Sequence, residues 1–444
     1  MHQLIGIELS ATTSESHFTL DELVLKVREL FTQQGMSQVV GLILHLMDEL
    51  LAVRHTTGQW AQPRRCGCGR HRYELKDRQP RELRTSVGSV HLHWRRLACR
   101  DCGQSWCPLR EFLRLERWQR KSGELERVAV EVVSEQSYRR GSRHLALAGE
   151  IPVPKSTLHR WVVDSPAADW TPSSEPLSTL MADGTGYKRR PEPARGQDHR
   201  GELRVLVGRT PQGQWRALGA WSGKRWEEIV EQLAGEGNAP KVRADTLVSD
   251  GENGLADALA RLVRGQQRCP WHLVRDLSIA LWKDGATLAE RRQEQHALAQ
   301  LVGIELPAAD LETVKPEDQQ ALRARVQQAD QELTDLVRTL QRRGYERAAN
   351  YVAQAQGKLF RYVEFWLETG VVCPRTTSWL ERVMRELGRR LKKIAFGWSE
   401  RGAARMACVI LRRITDPAEW EAYWRNRLGL GDNVMIQLRS VKAL

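Results

Sequence analysis

The chain has 444 residues, with 68 Lys or Arg against 55 Asp or Glu and a formal net charge of +13. That length exceeds one ordinary hydrophobic core and implies several domains, and the positive balance favours a polyanionic partner, nucleic acid first. Eight cysteines are too few for a disulfide scaffold, and the longest apolar stretch, Val39–Val53, is broken by His45, Asp48 and Glu49, too short for a bilayer and read as a buried helix.

Met1–Leu20 lacks the basic start, apolar middle and small-residue cleavage site of a signal peptide, so the expectation is a cytoplasmic, nucleoid-associated protein with no membrane partner. Residues 1–60 carry Leu23, Val27 and Leu30, then Val40, Ile43, Met47 and Leu51, at three- and four-residue steps. This is a helical region whose role is packing or self-association.

Residues 61–121 read as a zinc-ribbon-like DNA-binding domain. Between 64 and 121 there are 16 Lys or Arg against six Asp or Glu. Cys66-Gly-Cys68 and Cys99-Arg-Asp-Cys102 carry the glycines a tight thiolate turn needs, and the alternating Leu83–Val87 and Val90–Trp94 flank Gly88-Ser89 as a hairpin that brings the two turns together. Four thiolates close a tetrahedral structural Zn²⁺ site, without which so small a β-unit has too little core to fold. The first pair has one intervening residue rather than the commoner two, leaving His71, His91, His93 and Cys107 as substitute ligands; His91 and His93 alone read as exposed strand residues.

Residues 122–165 predict a helix-turn-helix domain, with helices over Leu125–Val133 and Tyr138–Ala148. Ile151-Pro-Val-Pro154 then breaks the chain before a short helix, Lys155–Val162. A recognition helix needs small polar and basic side chains at its start, which makes Ser156, Thr157, His159 and Arg160 the candidate DNA contacts. Pro166–Ser178 reads as a linker.

The main body begins near 179. Strand patterns at Leu180–Asp183, Leu203–Val207 and Trp215–Trp221 precede a helix at Trp226–Leu233, a strand at Thr246–Asp250, a helix from Asn253 to Val263 and a short strand near Gln267–Cys269. This order is the ribonuclease H-like pattern of a mixed sheet with helices on both faces. The core is expected in two parts, 179–272 and 373–414, separated by an all-helical insertion over 273–372 and followed by a C-terminal tail, 415–444.

Asp183 and Asp250 are each expected at a strand end, on neighbouring strands, and Glu381 on a helix from Ser378 to Ile394. Three convergent carboxylates can hold two Mg²⁺ (or Mn²⁺) ions, one activating an attacking oxygen and one stabilising a leaving oxygen, which is the equipment for phosphodiester cleavage. Between Arg382 and Arg413 ten Lys or Arg stand against Glu386 and Glu400. Arg382, Arg385, Arg389 and Lys392 on this cationic helix are candidate DNA contacts. Cys269 and His272 lack the other ligands of a zinc site and read as supporting residues, with His272 near the scissile phosphate. Among 16 Trp, Trp271 and Trp398 are candidates for stacking on an unpaired base, although burial is the commoner state of each.

With these motifs assembled, the chain resembles the Mutator-like DDE transposases of bacterial insertion sequences, in the branch with an N-terminal zinc-binding region. The resemblance rests on the Asp183-Gly and Ser249-Asp250-Gly251 motifs, Cys269-Pro-Trp-His272, Glu381-Arg382 after a helical insert, and Gly397-Trp-Ser-x-x-Gly402. It covers roughly residues 64–414. Ser378-Trp379-Leu380 replaces the commoner Asn-x-x before Glu381, which makes Glu386 the alternative third acid. The resemblance implies that Asp183 bridges both metals while Asp250 and Glu381 complete one site each. It also implies binding of double-stranded DNA at the terminal inverted repeats of a mobile element, hydrolysis there, and transfer of the freed 3′ hydroxyl into target DNA by a homodimer or larger assembly. The alternatives are a DNA-binding regulator derived from a transposase and a ribonuclease H-like nuclease that never joins strands.

Overall fold

A computed structural model describes residues 20–58, 65–149, 151–169, 175–191, 199–234, 242–252, 254–394 and 397–430. The reading of residues 1–19, the helix start at Asn253, the middle of the 166–178 linker and the tail beyond 430 lie outside them. The architecture is mixed α/β with two sheets, and the chain divides into two compact units, Met1–Val133 with Tyr138–Leu158, and Ser134–Ser137 with His159–Leu444.

In the first unit, α1 (Leu20–Glu29) runs through a π-helical turn, Leu30–Gly35, into α2 (Met36–Thr57). By length and composition α2 is apolar enough to cross a membrane, longer than the Val39–Val53 run suggested. Nor is it a fully buried helix. It buries Asp48, Leu51, Ala52 and His55, and packs along β2 of a three-stranded antiparallel sheet formed by β1 (Tyr73–Thr85), β2 (Gly88–Cys99) and β3 (Ser105–Trp106). Asp48 accepts hydrogen bonds from the Arg95 backbone N–H at 3.1 Å and from its Nη1 at 2.9 Å. Both side chains are almost fully buried. Leu51, Trp94, Cys107 and Leu109 form the adjoining core, to which α3 (Pro108–Phe112) contributes. The hairpin is longer than its sequence pattern indicated, and its turn is Ser86-Val87: Gly88 already pairs with Thr85.

Two helices follow, α4 (Gly123–Glu135) and α5 (Tyr138–Gly149). Ile151 and Val153 of the proline-broken segment are buried, and the Ser142 hydroxyl donates to the Val153 carbonyl at 2.6 Å. Pro154 then precedes α6 (Lys155–Asp164).

The second unit is built on a five-stranded sheet of β4 (Leu177–Lys188), β5 (Arg200–Arg209), β6 (Trp215–Ser222), β7 (Ala244–Ser249) and β8 (Val263–Arg268), ordered β6-β5-β4-β7-β8. The first three strands pair antiparallel and β4-β7-β8 pair parallel. Side chains alternate across a strand, and the sheet uses both faces. Leu180, Leu206 and Leu247 pack against α7 (Trp226–Ala234) and α8 (Leu255–Leu259) on one face. A 3₁₀ turn, Ala260–Leu262, replaces the end of the expected Asn253–Val263 helix, and β8 starts earlier than expected.

From Pro270 onward the unit is helical: α9 (Pro270–Lys283), α10 (Leu288–Val302), α11 (Pro316–Arg342), α12 (Glu346–Ala353) and α13 (Arg361–Thr369). The chain then returns to the sheet through α14 (Ser378–Gly388), which continues as a π-helical turn to Ile394, and α15 (Glu400–Thr415). These pack against β4, β5 and β6. Trp379 of α14 stacks on Trp215 of β6 with centroids 3.9 Å apart and planes at 4°. That contact fixes the helix bearing Glu381 to the sheet. Trp420 and Trp424 of α16 (Pro417–Leu428) are buried. The expected linker is part of this unit: Ala167 and Ala168 are buried, small enough to pack closely, and Arg412 Nη1 donates to the Ala167 carbonyl at 3.0 Å.

Candidate active site and metal centre

β4 and β7 stand in parallel register, Thr179 opposite Thr246, Leu180 opposite Leu247 and Met181 opposite Val248. Two residues beyond the last pair come Asp183 and Asp250. Asp250 follows the end of β7, as expected. Asp183 does not close its strand, because the antiparallel ladder with β5 continues past it to Lys188, opposite Arg200. The residues after Asp183, Gly184 and Gly186, are strand rather than turn, so the acid sits where the parallel ladder stops and the antiparallel one runs on. Alternation puts Asp183 on the same face as Met181 and Thr179, and Thr179 donates to Cys373 Sγ at 3.4 Å just before α14.

Burial, and then the charge of Asp250, push the Asp183 carboxyl up to about 6. Its Oδ1 accepts the Gly184 N–H at 2.7 Å. Burial and Asp250 also raise Glu252, an acid the sequence reading missed although Asp250-Gly-Glu252 was in view. A mutual penalty of this kind is what a cation would relieve.

Glu381 is linked to His272, whose charge acts on Asp183 and is itself acted on by Asp250, through a short chain of groups. The Thr377 hydroxyl donates to Glu381 Oε1 at 3.2 Å and lies 3.2 Å from His272 Nδ1. His272 Nε2 is 3.7 Å from Glu381 Oε1, and its Nδ1 is 3.4 Å from Cys269 Sγ. The Cys269 contact raises His272 against burial, and the thiol, which burial alone would raise, is instead held below its usual range by hydrogen bonds from His272 and Thr377. Cys269 caps the start of α9, which puts His272 one turn into that helix. Thr377, at the start of α14, was missed: its only sequence signal is its place four residues before Glu381. Glu386, the alternative third acid, is instead ion-paired with Arg389 at 2.9 Å.

The expected DNA contacts divide. Ser156 and Arg160 of α6 are exposed, Thr157 and His159 half-buried. Arg382 and Arg385 are exposed on α14. Arg389 is engaged by Glu386, and Lys392 Nζ donates to Thr185 Oγ1 at 2.7 Å. Trp398 is buried and donates to the Leu391 carbonyl at 3.2 Å, whereas Trp271 is 52 % exposed with the Arg275 guanidinium over its ring.

In the first unit the four cysteines meet as expected. The sulfurs of Cys66, Cys68, Cys99 and Cys102 all lie within 4.8 Å of one another, with Cys66 to Cys102 at 3.4 Å and Cys68 to Cys99 at 3.7 Å. Ligands 2.3 Å from a tetrahedral zinc are about 3.8 Å apart, so this cluster can hold such a metal. Each turn closes on a left-handed glycine, Gly69 at φ 83° and Gly103 at φ 72°. The Cys68 backbone N–H is the main cause holding the Cys66 thiol down to about 7. His71, His91 and His93 are exposed, and Cys107 is buried in the Leu51–Trp94 core away from the cluster.

A family model matches residues 13–179, that of an uncharacterised protein family, UPF0236. No curated protein matches the chain.

Proposed function

We propose that the protein is a DDE-type DNA transposase: it binds double-stranded DNA at the terminal inverted repeats of a mobile element, hydrolyses a phosphodiester bond there and transfers the end into target DNA. The observation that carries this reading is that Asp183 on β4 and Asp250 just past the end of its parallel neighbour β7 act on one another through their charge, with Glu381 and Thr377 in contact with His272, whose charge also acts on Asp183. The strand order β6-β5-β4-β7-β8, with helices on both faces, supports the reading of a ribonuclease H-like core, with residues 273–372, most of α9 through α13, as its helical insertion.

Asp183, Asp250 and Glu381 are the hard oxygen donors that suit two Mg²⁺ or Mn²⁺ ions, and the raised Asp183 fits a site built for cations. Bound there, the ions supply an activated water and neutralise the leaving oxygen. The chain's own groups do the rest. Thr377 donates to Glu381 Oε1 and leaves Oε2 for a cation; His272, held at Nδ1, has Nε2 3.7 Å from the same Oε1 and can hold a proton beside the phosphate. Exposed Arg382 and Arg385 draw in the DNA backbone. Zinc on the four cysteines holds a ribbon, α4–α6 form a helix-turn-helix with Ser156 and Arg160 outward, and the working particle is at least a dimer because two element ends must be joined. Metal-dependent nicking of DNA that carries the element's ends tests the reading. A derived regulator would bind without nicking, and a general nuclease would nick unrelated DNA without joining it.

A further inference from the structure

A cavity of about 930 Å³ opens beside Asp250, whose neighbours Ser249 and Gly251 both line it. We infer that it receives one unpaired nucleotide of the DNA strand, with the nucleotide's phosphate on Arg268; this rests on the DNA-processing reading above. Arg268 ends β8, lines the cavity and is only 8 % exposed. Its Nη2 donates to the Tyr351 hydroxyl at 2.8 Å, whereas Nη1 is buried with no hydrogen-bond partner among the described residues. A buried guanidinium donor left unpaired is costly, and an anion in the cavity that draws the Arg268 side chain outward from Gly251 would satisfy it.

The surroundings fit the remainder of a nucleotide. Tyr351 supplies an aromatic ring and Asn350 a side-chain amide of the kind that reads base edges, while Lys283, Arg347 and Lys358 add positive charge at the cavity wall. Glu252, Asp257 and Asp276 oppose them, but Asp276 is occupied by Arg275 at 2.6 Å. The volume matches a small-ligand site and is too small for a duplex, so a base must leave its stack to enter. Gly251 makes room for the anchor: with φ at 86°, a Cβ there would fall 1.9 Å from the guanidinium of Arg268.

The test uses the full chain in Ca²⁺ and compares two duplexes of one sequence, fully paired and with a single bulged 2-aminopurine nucleotide. The expected result is binding of the bulged duplex about tenfold tighter, with altered 2-aminopurine fluorescence, and loss of that ratio in Arg268→Gln and in the exposed variants Asn350→Leu and Lys358→Glu. The exposed variants carry the test if Arg268→Gln does not fold. Equal binding of both duplexes, or a ratio that survives in all folded variants, overturns the pocket assignment while leaving the transposase reading intact. Tight ATP binding without a preference for the bulge overturns it in favour of a free nucleotide. No binding to either duplex overturns both readings.

Discussion

Asp183 and Asp250 each lie two residues past the Met181–Val248 pair that ends the β4–β7 ladder, and the charge of Asp250 works against ionisation of Asp183. The Asp183 carboxyl is therefore poised at about 6, pushed there first by burial and then by Asp250. Its folded value lies above the unfolded one, so the folded protein binds more protons between roughly pH 4 and 6, and stability falls as pH rises through that window. With the catalytic-site metals absent, the Asp183 contribution to stability should thus decline from pH 4 to 7, and Asp183→Asn should remove that contribution, read as the difference between variant and wild type at each pH. At pH 8 the substitution should stabilise this form of the chain by on the order of 1–2 kcal/mol, allowing for partial exposure of the group. Denaturant titrations across pH in buffer free of Mg²⁺ and Mn²⁺ but with zinc retained measure both, and a variant no more stable than wild type contradicts the assignment.

Thr377 positions Glu381 rather than touching DNA, which separates its effect from that of the acids. Thr377→Val should lower metal-dependent nicking by roughly 10–100-fold, raise the Mg²⁺ concentration needed for half-maximal rate, and leave the melting temperature nearly unchanged. Thr377→Ser, which keeps the hydroxyl, should restore most activity. A Val variant with normal Mg²⁺ dependence would show the hydroxyl to be a packing group only.

The four-cysteine cluster predicts one zinc per chain. Cys99→Ser should reduce zinc content to near zero, and protease should then cut within residues 65–121, because the ribbon's own core is small. Metal analysis of the purified full chain and mass mapping of limited digests measure this. Retention of zinc in the variant would move the site elsewhere.

Asp48 and Arg95 join α2 to β2 through a buried, hydrogen-bonded ion pair. Arg95 also pairs with Glu49 at 2.7 Å, so it is Asp48→Ala together with Glu49→Ala that leaves Arg95 charged and buried without a carboxylate, at an expected cost of about 3–5 kcal/mol. Urea unfolding should show the midpoint falling accordingly, and a loss under about 1 kcal/mol would mean water reaches the pair.

The sequence made much of this legible, for physical reasons. Short alternating strands, Asp250 at the end of an apolar run and the paired cysteine turns are local signals, and each lies within an element of the expected kind, although the hairpin, β4 and β8 extend beyond their patterns. The extent of β4 was not legible: Gly184 and Gly186 favour a turn locally, and only pairing with β5 keeps them extended. Thr377 and the orphaned donor of Arg268 were equally hidden, since each matters through a neighbour 105 or 83 residues away, whereas Glu252 matters through its burial and the adjacent Asp250. Arg389 and Lys392 look alike in sequence to Arg382 and Arg385, and only tertiary partners distinguish them.

The central claim rests on three acids acting as one unit, and one assay addresses it: nicking of supercoiled DNA carrying the inverted repeats that flank the gene, in Mg²⁺, by wild type and by Asp183→Asn, Asp250→Asn, Glu381→Gln and Glu386→Gln. Each of the first three substitutions keeps the size of the side chain and removes the charge that would hold the cation. The account predicts that each of them abolishes nicking while the protein still binds end DNA, that pairs of them are no worse than singles, and that Glu386→Gln cuts as wild type does. Normal nicking by all three variants would contradict it, and an inactive Glu386→Gln beside an active Glu381→Gln would reassign the third acid.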